Sequence, residues 1–297
     1  MAALRDIKNK ISAVKKTRQI TRAMNMVAAA KLRGVQEKAE SFKPYAAKFS
    51  EVLSSLSAGI DPEVHPLLQQ PEKVERVGLV LLTADRGLCG SFNMNLINKA
   101  ERFIKEQQKA GREVQFYTVG RKGRDYFRRR KTPITQELTG VMNEVDFDLA
   151  VQVARLGLNA FLSGEVQEVY IIYSRFASMA SYVPTPEKLL PVSPDAGEGG
   201  GEGDEGLAKG PEYLTEPSAE EILVDLLPRF INVRMYNALL QTATSEQAAR
   251  MAAMDNATKN CKEMINNLTL LYNKARQSAI TAELMDIVGG AEALKQG

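Results

Sequence analysis

The stretch Leu4-Arg-Asp-Ile-Lys-Asn-Lys-Ile-Ser-Ala-Val14 decides the fold of the N-terminal part of the chain, because its apolar residues follow a helical heptad pattern. They stand alternately three and four positions apart, which places them on one stripe of a helix that supercoils with a second helix. A similar spacing runs from Met24 to Leu56. We interpret the irregular step between Val14 and Thr21 as a stammer, a local overwinding of the coiled coil. We therefore predict an N-terminal coiled-coil helix over residues 1–57, bent at Pro44.

A second apolar stripe, longer than the first, occupies the C-terminal part of the chain. Ser218-Ala-Glu-Glu221 has the form of a capping box, so a helix is predicted to begin there. Apolar and small residues then recur at helical spacing as far as Val288. We predict a C-terminal coiled-coil helix within residues 212–297 that pairs with the N-terminal helix in antiparallel orientation. Its surplus end has no intramolecular partner, and such a helix is marginal in water unless something encloses it.

Between these arms, short β-branched and aromatic runs alternate with amphipathic stretches. Strands are predicted at Val77–Leu82, Val114–Val119 and Val169–Tyr173, with helices near 94–108 and 147–162. This alternation is typical of a parallel sheet covered by helices. We predict an α/β fold class, in which a Rossmann-like domain with a mainly parallel sheet, residues 74–192, is combined with the long antiparallel coiled coil. Residues 193–211 are acidic and Gly-rich, and we predict an inserted loop there.

Composition and charge exclude several classes of protein. Thirty-nine Lys and Arg against 36 Asp and Glu leave a formal charge of +3, too close to balance to indicate nucleic-acid or membrane-surface binding by total charge alone. The longest apolar run, Val77–Leu82, is much shorter than the ~20 residues of a membrane-spanning helix. The N-terminus carries charges where a signal peptide would be apolar. We expect no membrane span, and a chain that is held at a membrane, if at all, by a partner.

Catalytic and ligand-binding motifs are weak. Thr83–Ser91 follows a predicted strand and opens a helix, where phosphate loops occur, but it lacks the glycine and lysine spacing of such loops, so we favour a structural turn over nucleotide binding. Cys89 and Cys261 are expected to be reduced and buried. Cys89 lacks a nearby base in the sequence, since the only histidine is His65. We predict no catalytic residue, no cofactor and no metal.

One pair of carboxylates and two basic clusters are candidate charged sites. We interpret Asp146 and Asp148 as solvated residues at a helix start. Ten Lys and Arg lie between Arg5 and Lys38, and Arg128-Arg-Arg-Lys131 forms a second cluster. A basic helix that follows phosphates would bind nucleic acid. Neither cluster is interleaved with aromatic residues, and we favour docking on acidic protein partners, with a basic coiled-coil nucleic-acid-binding protein as the alternative.

Three uncommon strings give the sequence a family resemblance. They are Thr17-Arg-Gln-Ile-Thr-Arg-Ala-Met-Asn-Met-Val-Ala-Ala-Ala-Lys-Leu32, Asp85-Arg-Gly-Leu-Cys-Gly90 and Leu271-Tyr-Asn-Lys-Ala-Arg-Gln-Ser-Ala-Ile-Thr-Ala-Glu-Leu-Met-Asp-Ile-Val-Gly-Gly290. Together with Ser245–Thr258, these strings resemble the gamma subunit of rotary F-type ATP synthases, in the order that the family has them.

The resemblance implies a non-catalytic rotor shaft that couples proton or sodium flow through a membrane ring to ATP synthesis or hydrolysis. The coiled coil would turn inside a hexamer of alpha and beta subunits, and the α/β domain would sit on the c-subunit ring and the epsilon subunit. It also implies contact residues on each side. Those toward the hexamer are Met24, Arg250, Gln277, Thr281 and Met285, and those toward the c ring and epsilon are Tyr213 and Glu216.

The resemblance also sets expectations about regulation and location. Chloroplast members carry a thiol switch in an added central segment, whereas the added segment here, 194–209, contains no cysteine, so we expect no thiol regulation through it. We expect a peripheral subunit on the cytoplasmic side of a bacterial cell membrane, with no nucleic-acid partner and no homo-oligomer.

Overall fold

The computed structural model describes residues 2–57, 65–179, 181–192 and 218–295. The chain divides into two compact units, one made of Met1–Ala28 with Arg250–Gly297 and the other of Ala29–Ala249. We call them the hairpin unit and the α/β unit. The insert predicted over 193–211 lies outside the described residues.

Two long helices contribute to both units. Helix α1 spans Ala2–Ser57 and helix α5 spans Ala219–Lys295. The shorter elements all belong to the α/β unit: β1 (Arg76–Leu82), α2 (Phe92–Lys109), β2 (Glu113–Val119), α3 (Arg121–Arg129), β3 (Gln136–Leu138), α4 (Phe147–Leu162), β4 (Glu168–Ser178) and β5 (Ser181–Leu190).

The α/β unit contains one five-stranded sheet with strand order β3-β2-β1-β4-β5. Strands β1 to β4 are mutually parallel and only β5 is antiparallel, which confirms the predicted mainly parallel sheet. Strand β5 was not predicted because Pro184 and Pro186 lie within it. Prolines are tolerated in this position because β5 is an edge strand, with no second strand to receive its N–H groups.

Helices cover both faces of the sheet. Helix α4 and the α/β-unit portions of α1 and α5 pack on one face, where Val80, Leu82 and Ile171 belong to the core. Helices α2 and α3 pack on the other, around Leu79 and Phe116. The strands are nearly continuous apolar runs because parallel strands covered on both faces have no solvent side.

Side chains cap two helix starts: Ser218, where the sequence predicted a capping box, and Asp146, which was interpreted as a solvated residue at a helix start. The Ser218 hydroxyl accepts a hydrogen bond from the Glu221 N–H at 3.2 Å, as the capping box requires. The Asp146 carboxylate accepts from the Leu149 N–H at 2.8 Å at the start of α4. Both bonds satisfy N–H groups that a helix cannot pair internally.

In the hairpin unit, α1 and α5 run antiparallel. Asn25 Nδ2 donates to the Met251 carbonyl at 2.8 Å, and the hydroxyls of Thr21 and Thr258 lie 2.8 Å apart. A later residue of α1 therefore contacts an earlier residue of α5, as antiparallel helices require. On α5 the less exposed positions alternate three and four apart: Met251, Met254, Thr258, Cys261, Ile265, Leu268, Tyr272, Ala275 and Ala279. This is the predicted heptad seam.

The stammer predicted in α1 is wrong. Thr21 is buried and Asn25 is half-buried, and both keep the heptad phase of Leu4 to Val14 as far as Ala28, although Arg18, the seam position between Val14 and Thr21, is exposed. Thr17, the position that created the irregular step, is exposed, and its hydroxyl donates to the Ala13 carbonyl of its own helix at 3.1 Å. The stammer was predicted from the spacing of apolar residues alone, whereas the seam continues here through the polar residues Thr21 and Asn25.

The two cysteines differ in burial. Cys89 is buried, as expected, whereas Cys261 is only half-buried, because its seam position on α5 is flanked by exposed positions. Neither forms a disulfide bond among the described residues.

Candidate partner-binding surface

The end of α5 extends past the start of α1. Counting back along α1 from the Thr21–Thr258 pair, Leu4 is level with Ala275. Within the described part of the chain, α5 residues beyond about 277 therefore have no α1 residue beside them. They lie in the helix that continues to Lys295.

Large apolar side chains are exposed on the hairpin unit. Among the residues whose burial the structure describes, eleven lie in the hairpin unit and eight in the much larger α/β unit. Those of the hairpin unit are Ile20, Met26, Val27, Met264, Leu270, Leu271, Ile280, Leu284, Met285, Ile287 and Val288. Their exposure reaches 69% at Leu270, 68% at Ile287 and 67% at Met285. An isolated exposed apolar residue is ordinary, but a concentration of this kind indicates a surface that another polypeptide covers.

Three of the site residues suggested by the resemblance share one face of α5. Gln277, Thr281 and Met285 are spaced four apart and are all exposed. The Thr281 hydroxyl donates to the Gln277 carbonyl at 3.0 Å, so its hydrogen-bonding capacity is partly used within the helix. This face is polar at its start and apolar at its end.

The other suggested residues are placed differently. Met24 is half-buried beside the α1 seam. Arg250 is only 9% exposed, so most of its side chain is covered within the chain itself. Tyr213 and Glu216 lie outside the described residues.

Sequence reasoning missed the outer face of α1. Ile20, Met26 and Val27 are each exposed by more than half, on the side of the helix away from the seam. The signal was present in the sequence, since apolar residues outside the a and d positions of a heptad have no partner in a two-helix coiled coil.

Two of the four residues of the second basic cluster form ion pairs inside the α/β unit. Arg128 pairs with Glu137 at 3.0 Å, and Arg130 pairs with Glu101 at 2.7 Å. The Arg130 guanidinium also lies 4.5 Å from the centre of the Tyr126 ring. Arg128 and Arg130 are therefore engaged in interactions within the chain, whereas a phosphate-binding surface would need their charges to be available.

The loop that follows β1 is a structural turn. One oxygen of the Asp85 carboxylate accepts hydrogen bonds from the N–H groups of Arg121 (3.0 Å) and Gly140 (2.7 Å), and the other accepts from Met142 (2.9 Å). The Thr83 hydroxyl accepts from the Gly123 N–H at 2.9 Å. In the loop itself, the Ala84 N–H donates to Asn93 Oδ1 at 2.9 Å, and the Phe92 N–H at the start of α2 donates to the Cys89 carbonyl at 3.2 Å. This pairing within the chain supports the structural interpretation over a phosphate site.

The described ranges contain neither a helix that could span a membrane nor a cluster of metal-binding side chains. No helix there is both long and apolar enough to cross a membrane. Nor do three or more histidine, cysteine, aspartate or glutamate side chains come together there in a way that could hold a metal ion.

The chain combines a two-helix hairpin, whose apolar side chains are partly exposed, with a helix-covered, mainly parallel sheet. The sequence matches the family model described as ATP synthase over residues 3–294. The chain is 55% identical to the ATP synthase gamma chain of Syntrophobacter fumaroxidans, over 100% of both chains. It is 51% identical to that of Maridesulfovibrio salexigens, over 99% of this chain and 100% of the relative.

Solved structures agree with the fold. A chain of the Euglena gracilis mitochondrial ATP synthase, in a structure of its OSCP, F1 and c-ring parts, matches with a TM-score of 0.72 at 23% identity, over 99% of this chain and 95% of its own. A chain from the central stalk and c ring of the Tetrahymena thermophila enzyme matches with a TM-score of 0.58 at 25% identity, over 80% and 99%.

The chain belongs to the ATP synthase gamma chain family. It is a non-catalytic subunit, the rotor shaft of the synthase. The relatives and structures described above give no support to the nucleic-acid-binding alternative.

Proposed function

We propose that this rotor shaft couples ion flow through a membrane c ring to ATP synthesis or hydrolysis on a hexamer of alpha and beta subunits that surrounds the hairpin unit. The observation that carries the proposal is the exposed apolar surface of that unit, above all α5 from Ile280 to Val288. A helix this apolar and this exposed is stabilised only when another polypeptide covers it.

The hairpin would act on the hexamer as a ligand acts on its receptor. It can shift a beta subunit between two conformations only through a difference in its interaction energy with each, and moving an equilibrium from 1:99 to 99:1 takes about 5.5 kcal/mol. Fully burying one Leu, Ile, Met or Val side chain contributes about 1.5–3 kcal/mol. Leu284, Met285, Ile287 and Val288 are already partly covered, so each would gain only a part of that value on complete burial. The four side chains together can still supply an energy of the required order.

The remaining contacts follow from the family. Met24, Gln277, Thr281 and Met285 would face the hexamer, and Arg250 would do so through the small part of its side chain that the chain leaves exposed. The segment with Tyr213 and Glu216 would face the c ring and the epsilon subunit, on the cytoplasmic side of a bacterial membrane. The exposed cations of α1, from Arg5 to Lys16, would steer the hairpin toward acidic loops of its partners.

Photo-crosslinking in the intact complex tests the arrangement. A photoreactive amino acid is placed at Met285, and the chain is purified through an affinity tag from detergent-solubilised membranes. We expect crosslinks to the alpha or beta subunit. Leu162 is the matched control, since it is 54% exposed but belongs to the α/β unit, and it should give none to the hexamer interior. A chain that purifies without nucleotide-binding subunits, or a Met285 probe that reaches only solvent, would contradict the proposal.

A charge substitution tests coupling. Met24→Lys adds a cation beside the seam, where it can form a charge-assisted contact with an acidic side chain in one beta conformation and hold it. We expect ATP hydrolysis to continue with fewer ions transported per ATP. Normal transport per ATP in the Met24→Lys complex would show that Met24 lies away from the coupling contact.

A further inference from the structure

Strand β4 continues beyond the point where β1 stops pairing with it. The last β1–β4 pair is Leu81 with Ile172. Two residues further along β4, the Ser174 N–H donates to the Thr242 hydroxyl at 3.3 Å, and the Ser174 carbonyl accepts from the Ser245 hydroxyl at 3.2 Å. Its neighbour in β5 is Pro184, which has no N–H to offer. Two hydroxyls of α5 therefore take the place of a strand at this position.

The joint is deeply buried. Ser174 is 1% exposed, and Thr242 and Ser245 are fully buried. Every residue of α5 from Thr242 to Ala249 is buried, so this part of the helix is covered on all its faces. A buried backbone N–H and C=O need partners, and here those partners are supplied by side chains of one helix.

A second directional contact lies two helical turns earlier on α5. The Arg234 guanidinium pairs with Glu187 on β5, with Nε 3.0 Å from the carboxylate oxygen. The same guanidinium lies 5.6 Å from the centre of the Phe230 ring. Helix α5 is thus bonded to β4 through Ser174 and to β5 through Glu187.

These bonds act differently from the apolar packing around them. Apolar burial is non-directional, so it resists separation of a helix from a sheet but resists sliding or turning of the helix weakly. Hydrogen bonds weaken steeply when their angles change. Bonds from Thr242 and Ser245 to one backbone residue therefore fix both the axial and the rotational setting of α5 on the sheet.

We propose that Thr242 and Ser245 are positioning residues that lock α5 to the sheet, so that torque passes between the sheet and the shaft helix at Ser174. This inference rests on the proposed function, because torque is meaningful only for a rotating shaft. It adds a specific place, inside the α/β unit, where the shaft helix is held.

The first test removes the two bonds in the assembled synthase. Thr242→Val combined with Ser245→Ala keeps the side-chain size nearly constant and removes both hydroxyls. We expect a loss of torque in single-molecule rotation, and of ions transported per ATP, while ATP hydrolysis continues. The single variant Thr242→Ser, with Ser245 unchanged, should keep its torque, because it retains both hydroxyls.

Thr244→Val is the matched control. Thr244 is 2% exposed on the same helix, and its hydroxyl donates at 2.8 Å to the Leu240 carbonyl of that helix, not to the sheet. It should keep full torque. Unchanged torque in the double variant, or an equal loss in Thr244→Val, would overturn the proposal.

A crosslink tests the same joint by replacing the Ser245 hydrogen bond with a covalent bond. The Ser174 hydroxyl oxygen has no hydrogen-bond partner among the described residues, so replacing it removes no bond. In the pair Ser174→Cys and Ser245→Cys, oxidation would tie β4 to α5 covalently. We expect rotation and coupling to persist after crosslinking, because a joint that stays fixed loses nothing when it is locked.

Loss of rotation on oxidation, reversed by a reductant and absent from either single-cysteine variant, would show that the joint must move and would overturn the proposal. Failure of the proposed function is distinguishable, since the unmodified complex would then show no rotation or would lack the nucleotide-binding subunits.

Discussion

The hydroxyl oxygens of Thr21 and Thr258 lie 2.8 Å apart across the seam of the hairpin unit, although 237 residues separate them in sequence. The Thr258 hydroxyl also lies 2.7 Å from the Met254 carbonyl, and the Thr21 hydroxyl 3.1 Å from the Arg18 carbonyl. A hydroxyl has one proton, so the arrangement with the shortest distances has Thr21 donating to Thr258 and Thr258 donating to Met254. A polar pair within an apolar seam specifies one register, because any slip separates the partners.

This pair predicts a coupling energy. Thr21→Val or Thr258→Val alone should lower the free energy of unfolding of the chain by about 0.5–1.5 kcal/mol, the net contribution of one hydrogen bond. The double substitution should cost little more than either single one, because the shared bond can be lost only once. Denaturant unfolding of the four proteins measures this, with exposed Thr17→Val as the control. Strict additivity would mean that the hydroxyls do not interact.

A second prediction concerns Asp85, whose carboxylate joins the ends of three parallel strands. Asp85→Asn retains one acceptor oxygen and removes the charge, so the N–H groups of Gly140 and Met142 cannot both keep their bonds. We expect a loss of about 2–4 kcal/mol in the free energy of unfolding, since hydrogen bonds to charged groups contribute about 1.5–3 kcal/mol each.

Asp125→Asn is the matched control for Asp85→Asn. The Asp125 side chain is 37% exposed and pairs with its neighbour Arg124, so its removal should cost less than about 1 kcal/mol. Faster hydrogen exchange at residues 140–142, seen only for Asp85→Asn, would locate the effect. Equal losses for the two variants would contradict the role given to Asp85.

The elements that sequence predicted are those with strong apolar patterns. Strands β1, β2 and β4 are buried on both faces, and the two long helices carry sustained heptads. Helix α3 was missed because only Gly123 and Phe127 among its residues are buried, which leaves almost no apolar stripe. Strand β3 has three residues and β5 contains two prolines, so neither carries a readable period.

The candidate surface was predictable only in part. Gln277, Thr281 and Met285 came from family resemblance, and the unpaired end of α5 came from the unequal lengths of the two arms. The Thr21–Thr258 pair, the Asp85 hydrogen bonds and the Ser174 joint depend on contacts between residues far apart in sequence. No local period encodes such contacts. Thr, Ser and Asp are found mostly at exposed positions, so their presence in a sequence does not indicate a buried contact.

A third prediction concerns pH. Burial, followed by the nearby Glu168 carboxylate, raises the pKa of Tyr170 from 10.0 to about 12. The unfolded chain ionises this phenol near pH 10, whereas the folded chain holds it protonated until about pH 12. The Tyr170 contribution to stability is therefore complete below about pH 10 and is lost as pH rises to about 12. Phenolate absorbance and unfolding measured across this range should show the loss in the parent chain and less of it in Tyr170→Phe. A Tyr170 that titrates near 10 in the folded chain would refute this.

The last prediction separates folding from assembly. Leu284 and Ile287 are 56% and 68% exposed on the part of α5 that has no α1 residue beside it, so their replacement by Lys should leave the unfolding of the isolated chain unchanged within about 0.5 kcal/mol. In the complex the same positions should be covered, and each substitution would lose apolar burial and place a charge against an apolar wall. We expect the double variant to bind the alpha/beta hexamer at least about tenfold more weakly, a difference of ~1.4 kcal/mol. Leu162→Lys, at 54% exposure in the α/β unit, should change neither quantity. Reconstitution of purified hexamer with each chain measures the affinity, and wild-type affinity in the double variant would mean that the hexamer does not enclose the end of α5.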